Sequence, residues 1–370
     1  MVYVHVPFCR TRCTYCGFYS ELLRHSDRGS DFVGALLEEI RLCGGDAASL
    51  CGLPAPQDGA PEGALSAPRT LYFGGGTPSL LPACTLERVT AALAARGLYD
   101  RDSCEEFTVE VNPDDVLCGG PEYAEALRRV GVNRISMGVQ SFDDALLHRM
   151  GRRHDTSGAF EAYGILRRAG FDNISMDLIF GFAPSLDVEA LKKHLGALEG
   201  GIPEHISCYQ LSIEPGSGLE KMIDRGLYTM PSDEQCALQY YALCSLLREV
   251  GYEHYEISNW ALPGRRSRHN SAYWHHLPYI GFGPGAHSLF IGQDGRLSRR
   301  WNSPDLASYI AAARRGCFDD VRAGETLTAQ QVHDERVMLG LRTAEGIDGR
   351  RIPEDRWFIA DTIILDTLSK

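Results

Sequence analysis

The chain has 370 residues, more than one small domain needs, and its 44% apolar and 23% charged residues lie near the averages for globular proteins. That balance excludes wholesale disorder, collagen-like repeats and low complexity. A net charge of −12 disfavours non-specific attraction to nucleic acid or anionic lipid, and no apolar stretch approaches the ~18–20 residues that span a bilayer.

In chain order, strand signals fall near residues 2–7, 70–74, 107–111, 134–139, 173–180, 205–213 and 253–258. Helix signals fall near 30–43, 84–96, 121–130, 143–150, 157–169, 187–199 and 232–250. The stretch from Gly44 to about residue 69 is rich in Gly, Ala and Pro without periodicity, and is expected as a loop insertion. Leu127-Arg128-Arg129-Val130-Gly131 followed by Ile135-Ser136-Met137 recurs as Leu166-Arg167-Arg168-Ala169-Gly170 followed by Ile174-Ser175-Met176. In each copy a helix ends at a glycine and a short apolar strand follows, which is the unit that a βα barrel repeats. Ser232 and Gln235 have the spacing of a capping box, and Ala237, Tyr240, Tyr241, Cys244 and Leu247 continue that helix as an apolar stripe. Beyond Gly264 the alternation fades into a Gly-, His- and aromatic-rich stretch and a mostly helical tail. The expected fold is α/β: a partial TIM-like (β/α) barrel over 1–263 with a smaller, mostly helical C-terminal region over 264–370. Cofactor groups should then gather at the C-terminal ends of the strands.

Twelve cysteines are many for such a chain, but too dilute for a secreted disulfide scaffold. Nothing before Tyr3 resembles a signal peptide, so a reducing cytoplasm is the expected setting. Cys9, Cys13 and Cys16 form a C-x3-C-x2-C loop directly after the first strand. Three thiolates in one loop suit an iron–sulfur cubane with one iron left open. The same residues also suit a structural zinc site with His5 as fourth ligand, or three buried thiols. Zinc sites favour paired C-x2-C knuckles, and no second pair follows downstream. The other nine cysteines are scattered and read as core or surface residues.

Tyr3-Val4-His5-Val6-Pro7-Phe8-Cys9 followed by Cys13-Thr14-Tyr15-Cys16 resembles the radical S-adenosylmethionine (SAM) superfamily, in the branch that contains oxygen-independent coproporphyrinogen III oxidase and the HemW heme chaperones. The resemblance continues through Tyr72-Phe73-Gly74-Gly75-Gly76-Thr77-Pro78-Ser79, Glu110-Val111-Asn112-Pro113, Gly138-Val139-Gln140-Ser141-Phe142 and Asp177-Leu178-Ile179-Phe180-Gly181. It extends through His269-Asn270-Ser271-Ala272-Tyr273-Trp274 and Gly281-Phe282-Gly283-Pro284-Gly285-Ala286-His287-Ser288, covering roughly residues 1–345. It implies a [4Fe–4S] cluster on Cys9, Cys13 and Cys16, with SAM chelating the open iron. By the same resemblance Gly75, Gly76 and Thr77 hold the amino acid end of SAM, and Glu110, Gln140, Arg152 and Asp177 surround it. Tyr3 and Tyr15 stand beside the cluster and Leu211 lines the pocket. An ordinary turn at the glycines, a solvated Arg152 and a core Leu211 are the plainer alternatives.

Two positions divide this branch. The oxidases generally carry a fourth cysteine two residues after the third, where this chain has Phe18. His269, Asn270, Tyr273 and Trp274 match the HNxxYW segment with which the chaperones bind heme, and Arg265, Arg266 and Arg268 upstream could hold propionates. A hydrogen-bonded structural histidine and a solvated basic turn are the alternatives, and His275, His276 and His287 are further candidate ligands. Gly17 replaces an acidic residue common in relatives, and the stretch after Gly346 is shorter than in many of them. The resemblance therefore implies a heme chaperone passing heme to an acceptor protein, a membrane respiratory component being one class of acceptor. The alternative is a radical enzyme acting on a porphyrin-like substrate, although Phe18 argues against coproporphyrinogen oxidation.

Overall fold

The computed structural model describes residues 1–23, 26–43, 68–183, 187–292 and 295–369, so nearly all of the loop expected at 44–69 lies outside the described residues. The strands are β1 (Val2–Val6), β2 (Phe8–Cys9), β3 (Glu21–Leu22), β4 (Thr70–Gly75), β5 (Glu106–Val111), β6 (Arg134–Gln140), β7 (Ile174–Phe180), β8 (His205–Gln210), β9 (Glu253–Glu256), β10 (Asn259–Ala261), β11 (Ile280–Phe282), β12 (His287–Ile291), β13 (Leu297–Asn302) and β14 (Arg322–Thr326). Nine of them form one sheet in the order β11-β1-β4-β5-β6-β7-β8-β10-β9. The first seven in that order run parallel, and β10 pairs antiparallel with both β8 and β9. Tyr72 on β4 and Asp177 on β7 lie three strands apart, roughly 14 Å on a flat sheet. The Asp177 charge nevertheless helps to hold the Tyr72 phenol protonated, as an inward-curled sheet brings about.

The strands alternate strictly. Val2, Val4, Val6, Leu71, Phe73, Phe107, Val109, Ile135, Met137, Ile174, Met176 and Ile206 belong to the main apolar core. Residues of opposite parity, Tyr3, His5, Tyr72, Thr108, Glu110, Arg134, Ser136, Ser175, Asp177, His205 and Ser207, face the other way and are polar. The register lines them up in rows, with Glu110 opposite Ser136, Ser136 opposite Ser175 and Ser175 opposite His205. One face thus packs helices, while the other lines the barrel with hydrogen-bonding groups.

The helices fall where periodicity places them, with one extension. Pro113–Val130 begins a full two turns before the expected start, interrupted at Gly120 (φ 61°, ψ −164°) just before Pro121. The Gly119-Gly120-Pro121 sequence reads as a helix break, and Pro113 with Asp114 and Asp115 makes a good first turn of its own. The capping box at Ser232 and Gln235 forms with both hydrogen bonds present.

The segment after 263 contributes more than helices. Ile280–Phe282 takes the sheet edge beside β1, and β12, β13 and β14 form a separate antiparallel sheet. Glu39, on the helix Ser26–Leu42, ties this part to the rest. Its buried carboxylate accepts from Gly283 N at 2.9 Å, Asn302 Nδ2 at 2.7 Å, Tyr309 OH at 2.6 Å and an Arg322 guanidinium nitrogen at 2.7 Å. Removing it would leave four donors, the Arg322 cation among them, without this acceptor. Glu39→Ala is therefore expected to cost about 3–5 kcal/mol of stability, read as a lowered urea midpoint; an unchanged midpoint would show the hub to be dispensable.

Candidate functional site

The cluster loop sits at the C-terminal end of the parallel strands. Glu21 N donates to Pro7 O at 2.6 Å and Leu23 N to Cys9 O at 3.0 Å, so β2 and β3 close the loop at its base. Thr14 N donates to Met150 O at 3.0 Å and Leu219 N to Thr14 O at 2.7 Å, clamping its far side. Gly151, beside Arg12 and Cys13, has φ +78°, a left-handed conformation that favours glycine in this turn.

Side chains that follow β4, β5 and the helix after β6 link two of the thiols. Thr77 Oγ1 donates to Cys9 Sγ at 3.5 Å and accepts from Asn112 Nδ2 at 3.2 Å. Asn112 Oδ1 accepts from an Arg152 guanidinium nitrogen at 2.6 Å, and Arg152 donates to Cys13 Sγ at 3.5 Å. Arg152 is thus no solvated helix-end residue, because it also reaches Gly138 O and its Nε is buried without a partner. Asn112 carries no role in the sequence reading. Its place before Pro113 suggests a helix cap, but its side chain makes no capping bond and serves the ring instead. Burial pushes the Cys16 thiol up, and the neighbouring Cys13 and Cys9 add to the effect, so the three sulfurs feel one another. Burial likewise raises Tyr15, with the nearby Arg152 opposing and Cys13 adding to the effect. Leu211 belongs to a small apolar group with Leu146, Met150, Ile179 and Phe182 on which Tyr15 packs.

His5 does not join the cysteines. Its Nδ1 meets Tyr3 OH at 3.0 Å and its Nε2 meets Tyr19 O at 3.1 Å, leaving neither nitrogen for zinc. Among the described residues no three His, Cys, Asp or Glu converge to hold a single ion. A tetrahedral zinc needs that convergence, whereas each thiolate of a cubane takes its own iron. At Gly17 the Glu214 carboxylate comes within 2.5 Å of where a Cβ would lie. An acidic group therefore stands beside the loop although position 17 lacks one.

The glycine segment is shaped by packing. A Cβ on Gly76 would meet Phe8 O at 2.5 Å, and one on Gly75, at φ +109°, would meet the His5 ring at 2.5 Å. These glycines let β4 close against the cluster strand, while the Gly75 backbone still borders a cavity. Glu110 accepts from Tyr72 OH at 2.8 Å and from Gly75 N at 3.0 Å. Asp177 accepts from Ser136 and Ser175 deeper in the barrel. Gln140 has φ 70° at a register shift in β6, an uncommon conformation for a side-chain-bearing residue that costs on the order of 1–3 kcal/mol.

His269, Asn270 and Trp274 lie at the opposite end of the barrel. The helix Arg268–Trp274 begins on Glu106, which accepts from Arg268 N at 2.8 Å and His269 N at 3.0 Å. His269 is buried, with Nδ1 on Thr70 Oγ1 at 2.7 Å and Nε2 on Tyr273 OH at 2.9 Å. Both ring nitrogens are occupied by these two hydrogen bonds. Asn270 N caps onto Ser267 Oγ, and Trp274 Nε1 is buried without a partner. Arg265 pairs with Asp172, Arg266 with Glu253 and Glu345, and Arg268 with Glu105, an ion-paired turn instead of an open anion site. Of the motif only Tyr273 reaches the cavity.

That cavity, about 430 Å³, is lined by Tyr3, Phe18, Tyr19, Gly75, Glu110, Tyr273, Tyr279, His287 and Trp301 among others. It lies within the range of small-molecule sites. Phe18 is 75% exposed at its edge.

Burial pushes the Glu110 carboxyl from its ordinary 4.5 up to about 7. The folded chain then holds this proton more tightly than the unfolded chain, so the contribution to stability is full below about pH 4.5 and is lost as the pH rises through 7. It amounts to about 3 kcal/mol. Glu110→Gln, which cannot titrate, should flatten the fall in urea midpoint between pH 4.5 and 7. Equal slopes in the two proteins would contradict the assignment.

A model of the Radical SAM superfamily matches residues 63–192. Heme chaperone HemW of Lactococcus lactis is 34% identical over 347 residues, covering 93% of this chain and 82% of that protein. Its namesake in Bacillus subtilis is 32% identical over 352 residues, covering 95% and 86%. Mitochondrial radical S-adenosyl methionine domain-containing protein 1 of Mus musculus is 35% identical, covering 94% and 74%. Among solved structures, coproporphyrinogen III oxidase of Escherichia coli superposes with a TM-score of 0.71 at 23% identity, covering 92% of this chain and 75% of that one, a likeness of fold.

Proposed function

Because the chain belongs to the HemW family of heme chaperones within the radical SAM superfamily, we propose that it holds a [4Fe–4S] cluster and SAM and carries heme to an acceptor protein. The observation that carries this reading is the hydrogen-bonded ring from Cys9 through Thr77, Asn112 and Arg152 to Cys13, beside an aromatic cavity. The donor set fits: three thiols in one clamped loop are soft ligands for iron, and hydrogen bonds to their sulfurs tune such a site. A cluster bound there would supply an iron with an open coordination position for the amino and carboxylate groups of SAM.

This chain's residues would do the positioning. Thr77 and Arg152 hold Cys9 and Cys13, and the buried orphan Nε of Arg152 suits an anionic group brought to the loop. Glu110 keeps the Gly75 backbone at the cavity wall, with Tyr3 beside it. Residues 1–263 would form the body for cluster and SAM, and 264–370 would wall in the cargo. The reading sets the exchange in the cytoplasm, where thiols stay reduced. No helix among the described residues is long and apolar enough to cross a membrane.

Anaerobic reconstitution should load about four irons per chain, and Cys13→Ala should abolish loading; a stoichiometric zinc ion instead would overturn the cluster reading. Asn112→Ala, which breaks the ring without removing a thiol, should load but bleach in air severalfold faster than wild type. Incubation with SAM, reductant and coproporphyrinogen III should yield no protoporphyrinogen IX. Turnover would make the chain an oxidase despite Phe18.

A further inference from the structure

The heme reading leaves the iron ligand open, and hydrogen bonding ranks the histidines. His269 has both ring nitrogens taken, and so have His5 and His205, the latter between Ser175 Oγ at 2.8 Å and Tyr255 OH at 2.7 Å. His275 is bonded to Glu345 and His276 to Glu335, each through Nε2. His287 differs. It is exposed, lines the cavity and makes no side-chain hydrogen bond among the described residues.

Its setting is specific. His287 on β12 is the register partner of Trp301 on β13, and the two rings stack at 5.7 Å with 18° between their planes. That cross-strand pair fixes the imidazole at the cavity wall without using either nitrogen. Lining the cavity with it are Tyr3, Phe18, Tyr19 and Tyr273, the last held by a 4.7 Å edge contact with Tyr279 and by the hydrogen bond between its OH and His269 Nε2. Flat apolar rings suit the faces of a large planar macrocycle, and a free imidazole suits its iron. The antiparallel sheet that carries His287 and Trp301 is anchored by Glu39 through Gly283, Asn302 and Arg322, so the wall is braced.

We infer that His287 is the axial ligand of the heme iron, and that the HNxxYW segment acts on the cargo through Tyr273, with His269 as its positioning residue. This rests on the heme-carrier reading and deepens it. The neighbouring Gly75 and Glu110 put the SAM side of the barrel at the same cavity.

The test is anaerobic titration of the reconstituted full chain with ferric heme, followed by Soret difference absorbance and low-temperature EPR. Wild type should show an imidazole-ligated heme. His287→Ala should lose that signature and bind about tenfold more weakly, and added free imidazole should restore the signature; the residue is exposed at a strand start, so the fold should survive. His269→Ala should keep the imidazole signature. A wild-type spectrum and affinity in His287→Ala would overturn the assignment, as would loss of the signature in His269→Ala alone, while the carrier reading stood. No uptake of heme by the wild type would instead bring down the carrier reading itself, and this inference with it.

Discussion

Alternation along the parallel strands is the constraint on which the rest depends. One face of each strand is spent on the apolar core, so the inner face is free to be polar, and each polar group placed there must find a partner. Leaving a buried donor or acceptor unmet costs about 1–3 kcal/mol. Arg134, almost fully buried in the barrel, lies in the field of Glu106, Tyr72, Tyr255 and Asp177, from four different strands. Glu106 in turn accepts the first free N–H groups of the helix Arg268–Trp274, where a carboxylate at a helix N-terminus is favourable. The helix thereby stoppers the barrel at the end opposite the cysteines.

The open end follows a different logic. A short cysteine loop has little core of its own, so its geometry is set by neighbours that arrive from distant parts of the chain. Thr77 follows β4, Asn112 follows β5 and Arg152 follows the helix after β6. Because these strands are adjacent in the sheet, their C-terminal ends converge, and residues far apart in sequence close a single ring around two thiols. Gly76 lets the chain lie against the Phe8 backbone, and Gly75 against the His5 ring, more closely than side chains would permit.

The cavity between the two ends joins both systems. Tyr3, Gly75 and Glu110 reach it from the parallel strands, Tyr273 from the stoppering helix, and His287 and Trp301 from the separate antiparallel sheet. Glu39 holds that sheet to the first helix through Asn302 and Arg322, and accepts further hydrogen bonds from Gly283 and Tyr309. A polar, cofactor-suited wall and an aromatic wall therefore face each other across one space, which is the arrangement a carrier of a planar apolar ligand needs.

By itself the sequence determined the alternating strands and helices, the open α/β barrel and the three-cysteine loop, because side-chain period, helix-ending glycines and thiol spacing are local properties of the chain. The resemblance to a family was legible for the same reason, its motifs being short contiguous runs. Only the tertiary structure decided what individual polar residues do. It put both His269 ring nitrogens in hydrogen bonds with Thr70 and Tyr273, joined Asn112 to Arg152, set the Glu214 carboxylate beside Gly17 and placed His287 at the cavity. A polar side chain's role depends on which partner occupies its donors and acceptors, and partners such as Thr70 for His269 or Arg152 for Cys13 are brought near by sheet order and strand register. Spacing along the chain carries no trace of them.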